Sequence, residues 1–232
     1  MKKVVVLQSN YIPWKGYFEL IHNSDVFCFY DEVQYTKNDW RNRNKILGPN
    51  GLFWITVPVE KQAVNGKISE AKITNFLWQE KHFKTIEQTY SKAINKDEVL
   101  GLLAPIYIDK KWEYISQLNQ ELIISIAQYM GINTEFENSA NFDLEGDRVN
   151  RLINLIKQLG GDSYISGPAA KDYLTEYEGL FQSNNIALTY KKYGPYLGYD
   201  NKKKEFEDYV SILDLLMNVQ KEEYLQHITS SF

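Results

Sequence analysis

Two short apolar runs, with a helix-like segment between them, dominate the N-terminal part of the chain. Residues 4–7 and 26–30 lack polar alternation, which is typical of buried parallel strands. Residues 16–22 predict a helix between them. A strand, a helix and a strand in this order predict one right-handed βαβ unit. Because ligands bind outside the carboxyl ends of such strands, we expect residues 8–17 and 31–35 to lie at one crevice.

The middle of the chain predicts a hairpin followed by a helical insertion. Gly48-Pro49-Asn50-Gly51 is a strong turn sequence between strands expected over residues 44–47 and 53–57. From residue 78 to residue 129 the apolar side chains recur at helical spacing, and Gly131 is placed as a C-terminal cap.

The C-terminal third repeats the α/β alternation of the start. The expected elements there are a helix at 147–159, a strand at 163–166, a helix at 169–177, a strand at 186–190 and a helix at 207–217. A further short strand is expected at 68–73, before the insertion. We therefore predict an α/β fold with a parallel-sheet core that forms a single compact unit. Its parts are residues 1–75, a helical insertion or lid at 76–140, and residues 141–232, with both ends in one sheet.

Composition and charge exclude several classes of protein. Of 232 residues, 44% are hydrophobic and 24% charged, which excludes disordered and collagen-like chains. The 26 Lys and Arg against 30 Asp and Glu give a net charge of −4, so we expect no binding of duplex DNA. Cys28 stands alone in an apolar setting, and the apolar run before residue 8 is too short for a membrane span or a signal-peptide core. These features predict a cytoplasmic protein.

The segment after the first strand is rich in polar and aromatic side chains. It precedes a helix N-terminus, where free N–H groups and the helix dipole favour an anion such as phosphate. The aromatic rings suit stacking on a base or a sugar. The predicted substrate-binding residues here are Gln8, Asn10, Tyr11, Trp14, Lys15, Gly16 and Tyr17. The alternative is that Trp14, Tyr17 and Phe18 form a hydrophobic cluster under the sheet.

A second candidate segment carries a local positive charge. Residues 36–45 hold four cations and one anion. Arg41 and Arg43 alternate with Asn42 and Asn44, so an extended backbone presents two guanidinium groups on one face, which suits a pyrophosphate. The alternative is a solvated edge strand. We include Gln34, Tyr35 and all four of these residues among the predicted substrate-binding side chains.

Further features bear on binding and catalysis. Ser166 and Gly167 are also predicted to bind substrate, because they belong to a strand-turn-helix segment that resembles the first anion site; the alternative is that Pro168 alone explains the helix start. Asp31 and His82 are the candidates for general acid–base catalysis. The run Lys202-Lys203-Lys204 is interpreted as a solvated loop. No His pair has metal-ligand spacing, so we expect no metal site, and the cofactor stays unknown.

Six blocks of sequence together resemble the WbqC-like family, over nearly the whole chain. They are Gln8-Ser9-Asn10-Tyr11-Ile12-Pro13-Trp14-Lys15-Gly16-Tyr17-Phe18, Tyr30-Asp31-Glu32-Val33-Gln34-Tyr35, Asn42-Arg43-Asn44, Thr56-Val57-Pro58-Val59, Tyr164-Ile165-Ser166-Gly167-Pro168 and Ser211-Ile212-Leu213-Asp214. Members of that family occur among bacterial surface-polysaccharide and O-antigen genes. The resemblance therefore implies a role in lipopolysaccharide or related glycan biosynthesis.

The order of elements is also similar to nucleotidyltransferase-like (HUP-type) folds, whose HxGH loop holds ATP phosphates. Trp14-Lys15-Gly16-Tyr17 stands where that motif would lie, without either histidine. This departure argues against adenylyl transfer but leaves phosphate binding at the helix start.

Two classes of function remain open from the sequence. The first is a transferase that forms an amide on a nucleotide-linked amino sugar, by acyl or aminoacyl transfer, for example of glycine. It would use a dTDP- or UDP-sugar and an activated donor, which aminoacyl-tRNA could supply. The second is a non-catalytic protein of the same pathway that binds a sugar nucleotide or acts as a scaffold. Homo-oligomerisation is left open.

Overall fold

Five parallel strands form the central sheet of the computed structural model, which describes residues 1–201 and 207–230. The strands are β1 (Lys3–Leu7), β2 (Val26–Phe29), β5 (Glu135–Asn138), β6 (Ser163–Ser166) and β7 (Ala187–Tyr190), whereas β3 (Arg43–Gly48) and β4 (Gly51–Thr56) form a separate antiparallel hairpin. The order in the sheet is β5-β2-β1-β6-β7. The predicted α/β fold, with both ends of the chain in one parallel sheet, is confirmed.

Helices cover both faces of the sheet. They are α1 (Lys15–His22), α2 (Leu77–Thr89), α3 (Lys96–Ala104), α4 (Ile115–Tyr129), α5 (Arg148–Gln158), α6 (Lys171–Leu174), α7 (Glu178–Ser183), α8 (Leu213–Asn218) and α9 (Tyr224–Ile228). A π-helical turn spans Pro105–Asp109, and 3-10 turns lie at Lys61–Asn65, Ile68–Glu70, Ser139–Asn141, Pro168–Ala170, Thr175–Tyr177 and Lys221–Glu223.

Alternate side chains of β1 belong to two different hydrophobic cores. Val4 and Val6 pack in a core with α5 and α7, whereas Val5 joins the larger core that contains α1, α4 and α8. This alternation is the period-two geometry of a strand that is buried on both faces. It explains why β1 reads in the sequence as a continuous apolar run.

The strand order reverses between β1 and β6. From β1 the chain adds β2 and β5 on one side, and it then crosses to add β6 and β7 on the other side. Loops on either side of such a reversal separate, and they leave a crevice at the carboxyl ends of the strands. The residues that follow β1 and β6 are therefore placed at a natural ligand site.

Four expected elements differ from the structure. Residues 68–73 form a 3-10 turn and two isolated bridges, Val59–Ile73 and Lys72–Tyr114, because no neighbouring strand continues their pairing. The helix expected at 169–177 is divided into two 3-10 turns around α6. Of residues 207–217, only those from Leu213 onwards are helical, since Ser211 pairs with Trp14 and donates its N–H to the Lys45 carbonyl.

The fourth difference is β5, which lies inside the range expected to be a helical insertion. Its residues Glu135–Asn138 pair with β2 at the edge of the sheet. Only Phe136 is apolar, so the strand carries too weak a pattern to be seen in the sequence. Before β5, the expected insertion consists of α2, α3, the π-helical turn and α4, and Gly131 follows α4 with a φ of 78° as a C-terminal cap. The run Lys202-Lys203-Lys204 lies outside the described residues.

Candidate functional site

Two clefts meet where the strand order reverses. The α5 cleft, of about 810 Å³, lies between the ends of β1 and β6 and the start of α5. The α1 cleft, of about 410 Å³, lies on the α1 side of the same strand ends. Both are lined by Val6, Leu7, Gln8, Tyr164 and Tyr173. Together they form one crevice at the position that the fold favours for a ligand.

Arg41 joins the turn before the hairpin to the segment after β1. One guanidinium nitrogen donates to Asn10 Oδ1 and another donates to Gln8 Oε1. Asn119 Nδ2 donates to the Arg41 carbonyl at 2.8 Å, which fixes the backbone from behind. Burial lowers the pKa of Arg41, and nearby Asp39 opposes that effect, so the side chain stays cationic. The amide side chains of Gln8 and Asn10 are therefore held beside a charge, with both residues lining the α1 cleft.

Arg43 does not reach this group. Its guanidinium lies over the Trp54 ring, 4.2 Å from the centroid, and donates to the Asn38 carbonyl at 2.5 Å. Asn42 and Asn44 point into the protein and donate to main-chain carbonyls, Asn42 to Val57 and Asn44 to Ile12. The expectation that Arg41 and Arg43 grip one pyrophosphate is therefore wrong in its geometry, because the chain turns between them at the start of β3.

Asp31 lies behind the crevice wall. Its Oδ1 accepts the Ser9 N–H at 2.8 Å and its Oδ2 accepts Gln120 Nε2 at 2.9 Å. Burial raises the pKa of the Asp31 carboxyl, and the hydrogen bonds from Ser9 and Gln120 offset part of that effect. The side chain is 1% exposed and lines neither cleft. It positions the backbone between Gln8 and Asn10.

His82 belongs to a buried aromatic cluster. Its Nδ1 lies 2.8 Å from the Tyr11 hydroxyl, which in turn lies 2.5 Å from the Tyr107 hydroxyl. Burial lowers the pKa of His82 to about 4, so the imidazole is neutral at pH 7. Tyr11 and His82, like Asp31, do not line the crevice. Their contacts hold the segment after β1 against α2.

The start of α1 and the residue before it contribute two rings and one close packing contact to the crevice. Trp14 lines the α1 cleft, with its ring 4.8 Å from that of Tyr193. A Cβ at Gly16 would collide with the Trp14 ring, so glycine permits this ring position. Tyr17 also lines the cleft, and its hydroxyl donates to the Gln8 carbonyl at 2.9 Å. Lys15, by contrast, is buried and paired with Asp208.

The other sequence candidates lie at the crevice margins. Gln34 lines the α5 cleft, while Tyr35 beside it is buried, which raises the pKa of its hydroxyl to about 12. Ser166 and Gly167 line the α1 cleft, where a Cβ at Gly167 would lie 3.7 Å from the Tyr193 hydroxyl.

Two arginines at the start of α5 were not predicted from the sequence. Arg148 and Arg151 line the α5 cleft, and the Arg148 guanidinium lies 3.9 Å from the centroid of Tyr173. Asp147 caps the helix by accepting the N–H groups of Val149 and Asn150, each at 3.0 Å. The detectable signal was two cations three residues apart after a capping Asp, since that spacing places both on one helix face.

A buried carboxylate ties α1 to the C-terminal part of the chain. Glu19 accepts hydrogen bonds from Lys191 Nζ at 2.7 Å, from the Ser230 hydroxyl at 2.6 Å and from the Tyr196 hydroxyl at 2.7 Å. Burial alone would raise the pKa of Glu19, but these donors lower it below its ordinary value. The loop after β7, which carries Tyr193, is thereby fixed beside the α1 cleft.

Comparison with known proteins shows which family the chain is related to. The WbqC-like protein family matches residues 8–225. The chain belongs to this family. It is similar to the uncharacterized protein Rv1507c of Mycobacterium tuberculosis, with 44% identity over 230 residues, which are 98% of this chain and 99% of that protein. No solved structure matches it.

In this WbqC-like protein the matched region includes nearly all of the crevice. The similarity to HUP-type folds stays a prediction that rests on the order of elements. Across residues 1–201 and 207–230, no group of three His, Cys, Asp or Glu side chains is arranged to hold a metal ion. No helix in that part of the chain has both the length and the apolar character to cross a bilayer.

Proposed function

We propose that the protein binds a nucleotide-linked amino sugar in the crevice and acts as a transferase that forms an amide on the sugar nitrogen. The transferred group would be acyl or aminoacyl, for example glycyl, and the pathway bacterial O-antigen or surface-glycan biosynthesis in the cytoplasm. The observation that carries the proposal is the composition of the crevice. Cations and aromatic rings line its α5 end, and two amides and aromatic rings line its α1 end, with Arg41 bonded to both amides.

The α5 cleft suits the nucleoside diphosphate of a dTDP- or UDP-sugar. Arg148 and Arg151 supply guanidinium groups for the phosphates, which bind arginine through paired hydrogen bonds. The Tyr30 and Tyr173 rings offer faces for a base, and a volume of about 810 Å³ is in the range of small-molecule sites.

The α1 cleft suits the sugar and the incoming acyl group. Gln8 and Asn10 present amides that can bond to sugar hydroxyls, and Arg41 fixes the orientation of both. Trp14 and Tyr193 form an aromatic wall of the kind that stacks on sugar rings. This arrangement places the reacting end of the ligand near the carboxyl end of β1.

The proposed reaction is aminolysis of an activated acyl donor. The sugar ammonium first loses a proton, and its nitrogen then attacks the acyl carbonyl carbon. A C–N bond forms, the bond from that carbon to the leaving oxygen breaks, and the second nitrogen proton ends on the departing group. Asp31 and His82 stay predictions as the base. Neither side chain lines the crevice. Asp31 contacts Ser9, and His82 contacts Tyr11, in the segment that follows β1.

The test is incubation with dTDP- and UDP-amino sugars and either glycine with ATP or glycyl-tRNA, followed by mass spectrometry of the sugar nucleotide. The proposal expects a mass gain equal to one acyl residue. The absence of a gain with every donor, while the nucleotide sugar still binds, would remove the transferase.

The second candidate is a sugar-nucleotide-binding or scaffold protein without catalysis. It is favoured by one observation, that both Asp31 and His82 are buried and hydrogen-bonded instead of facing the crevice. Asp31→Asn separates the two functions, because turnover that disappears while nucleotide-sugar binding is retained would reject the non-catalytic protein.

A further inference from the structure

The β3–β4 hairpin exposes large aromatic side chains outside the crevice. Trp40 and Trp54 are 41% and 42% exposed, although tryptophan is usually well buried. We define the hairpin surface as Lys37, Trp40, Arg43, Lys45 and Trp54. None of these residues lines either cleft, so the proposed function leaves the surface without a role.

Cations and rings alternate closely on this surface. Arg43 and Lys45 lie on one face of β3, and Trp54 is the cross-strand partner of Lys45. The Arg43 guanidinium lies 4.2 Å and Lys45 Nζ 5.2 Å from the Trp54 ring centroid. The Trp40 ring lies 5.4 Å from that of Trp54, tilted by 38°. The two indoles are therefore partly exposed directly beside positive charge.

The charge of the surface contrasts with that of the whole chain. The protein has a net charge of −4, yet the single anion of residues 36–45 is Asp39. Its carboxylate accepts the Thr36 hydroxyl at 2.6 Å and the Trp40 N–H at 2.7 Å. Since Arg41 is directed towards Gln8 and Asn10, three of the four cations remain: Arg43 and Lys45 lie against Trp54, and Lys37 is exposed in the turn before the hairpin. That number is small for a duplex but sufficient for a few phosphates of a single strand.

The hairpin surface also adjoins the crevice. The Trp40 carbonyl accepts the Tyr11 N–H at 2.9 Å, and the next residue, Arg41, bonds to the crevice residues Gln8 and Asn10. The backbone that carries the Trp40 indole is therefore joined directly to the segment that lines the α1 cleft.

We propose that the hairpin surface binds a single-stranded polynucleotide. Bases stack on Trp54 and Trp40, and phosphates contact Lys37, Arg43 and Lys45. The site stands on the hairpin and the turn before it, independently of the crevice. Combined with the proposed function, on which only this last step rests, it would seat the single-stranded acceptor end of an aminoacyl-tRNA donor beside the crevice.

The test measures the fluorescence anisotropy of labelled oligouridylate and oligothymidylate, each of about a dozen nucleotides, between about 50 and 200 mM salt. With three phosphate contacts, we expect log K to fall with log salt with a slope of about −2. Trp54→Ala should weaken binding by about tenfold or more, because one stacked base is lost. Arg43→Gln should make the slope shallower by about 0.7.

The matched control is Phe76→Ala. Phe76 is 45% exposed and has Lys111 Nζ 5.8 Å from its ring, but it lies outside the hairpin. It should bind the oligonucleotide like the wild type. Trp54→Phe keeps an aromatic ring and should lose less affinity for the oligonucleotide than Trp54→Ala. Circular dichroism of each variant shows whether a loss of affinity comes from a folding defect.

Three results would overturn the proposal: no binding of either oligonucleotide by the wild type, equal weakening by Phe76→Ala, or binding only to phosphatidylglycerol vesicles. The last would assign the surface to an anionic membrane. Binding of dTDP by the same variants separates this site from the crevice. Failure of dTDP to bind with oligonucleotide binding intact would contradict the proposed function and leave the polynucleotide site standing.

Discussion

Arg41 shows how a single residue can connect two distant parts of the chain. Its guanidinium bonds to the neutral amides of Gln8 and Asn10, and its Nε is buried without a partner among residues 1–201 and 207–230. Asp39 Oδ2 lies 3.9 Å from the same guanidinium and forms an ion pair with it. Arg41 therefore acts on the α1 cleft by orienting Gln8 and Asn10, which line that cleft, and not as a free positive charge.

His82 gives the residue-scale prediction for pH. Its folded pKa of about 4 lies below the ordinary value of 6.5, so the unfolded chain binds more protons between these values. Stability should consequently fall as the pH is lowered from about 6.5 to about 4, by about 3 kcal/mol from this group. Urea unfolding of the wild type and His82→Gln at pH 7 and pH 4 measures the effect.

The expected result is that the stability difference between wild type and His82→Gln shrinks at pH 4. His22→Gln is the control, because His22 is exposed on α1 and its stability difference from wild type should change much less over the same pH range. An unchanged difference across this pH range would show that His82 does not titrate as a buried group.

At the scale of elements, the start of α5 has the strongest bearing on ligand binding. Arg148→Gln and Arg151→Gln should each weaken dTDP binding by about tenfold, since each removes a charge-assisted contact of about 1.5–3 kcal/mol. Stability should change little because both side chains are exposed. Isothermal titration calorimetry gives the affinities, and Lys157→Gln in the last turn of α5 is the charge-matched control. Equal affinity of all three variants would place the diphosphate elsewhere.

Alanine substitutions at two glycines should change the stability of the protein in opposite directions. A Cβ at Gly161 would press on Val4 and lie 3.2 Å from the Ile156 carbonyl, so Gly161→Ala should destabilise by about 1–3 kcal/mol. Gly101 lies inside α3 with open space around it, so Gly101→Ala should stabilise by about 0.5–1 kcal/mol. Chemical denaturation measures both, and destabilisation by Gly101→Ala would contradict the packing of α3.

The elements that the sequence predicted well are those whose own residues determine them. β1, α5 and the hairpin carry uniform apolar, amphipathic and turn patterns, and each appears where expected. β5 and the separation of Arg41 from Arg43 depend on partners distant in the chain, namely β2 and Trp54. A single sequence contains no local signal for such contacts. The contact between Arg148 and Tyr173 is of the same kind, although the spacing of Arg148 and Arg151 after Asp147 was a local signal for the arginines themselves.

At the scale of the whole molecule, Glu19 connects three regions of the chain. The Glu19 side chain is fully buried, and Glu19→Gln would remove the carboxylate that pairs with the Lys191 ammonium. We expect a loss of stability of about 3 kcal/mol, as for other broken buried pairs, and looser packing of the loop that carries Tyr193. Ser230→Ala, which keeps the ion pair, should cost about 1 kcal/mol.

Thermal unfolding together with hydrogen exchange of residues 191–201 measures this connection. The expected order of stability is wild type, then Ser230→Ala, then Glu19→Gln, with faster exchange of the loop in the last variant. Equal stability of all three proteins would mean that Glu19 does not hold the C-terminal part in place.

A crystal structure with dTDP or UDP would show whether the crevice at the reversal of strand order binds a nucleoside diphosphate. We expect phosphate oxygens within about 3.2 Å of the Arg148 and Arg151 guanidinium groups, and a diphosphate directed towards Gln8 at the end of β1. Nucleotide bound at another surface, such as the cleft between Lys92 and His227, with the crevice holding only solvent, would contradict it.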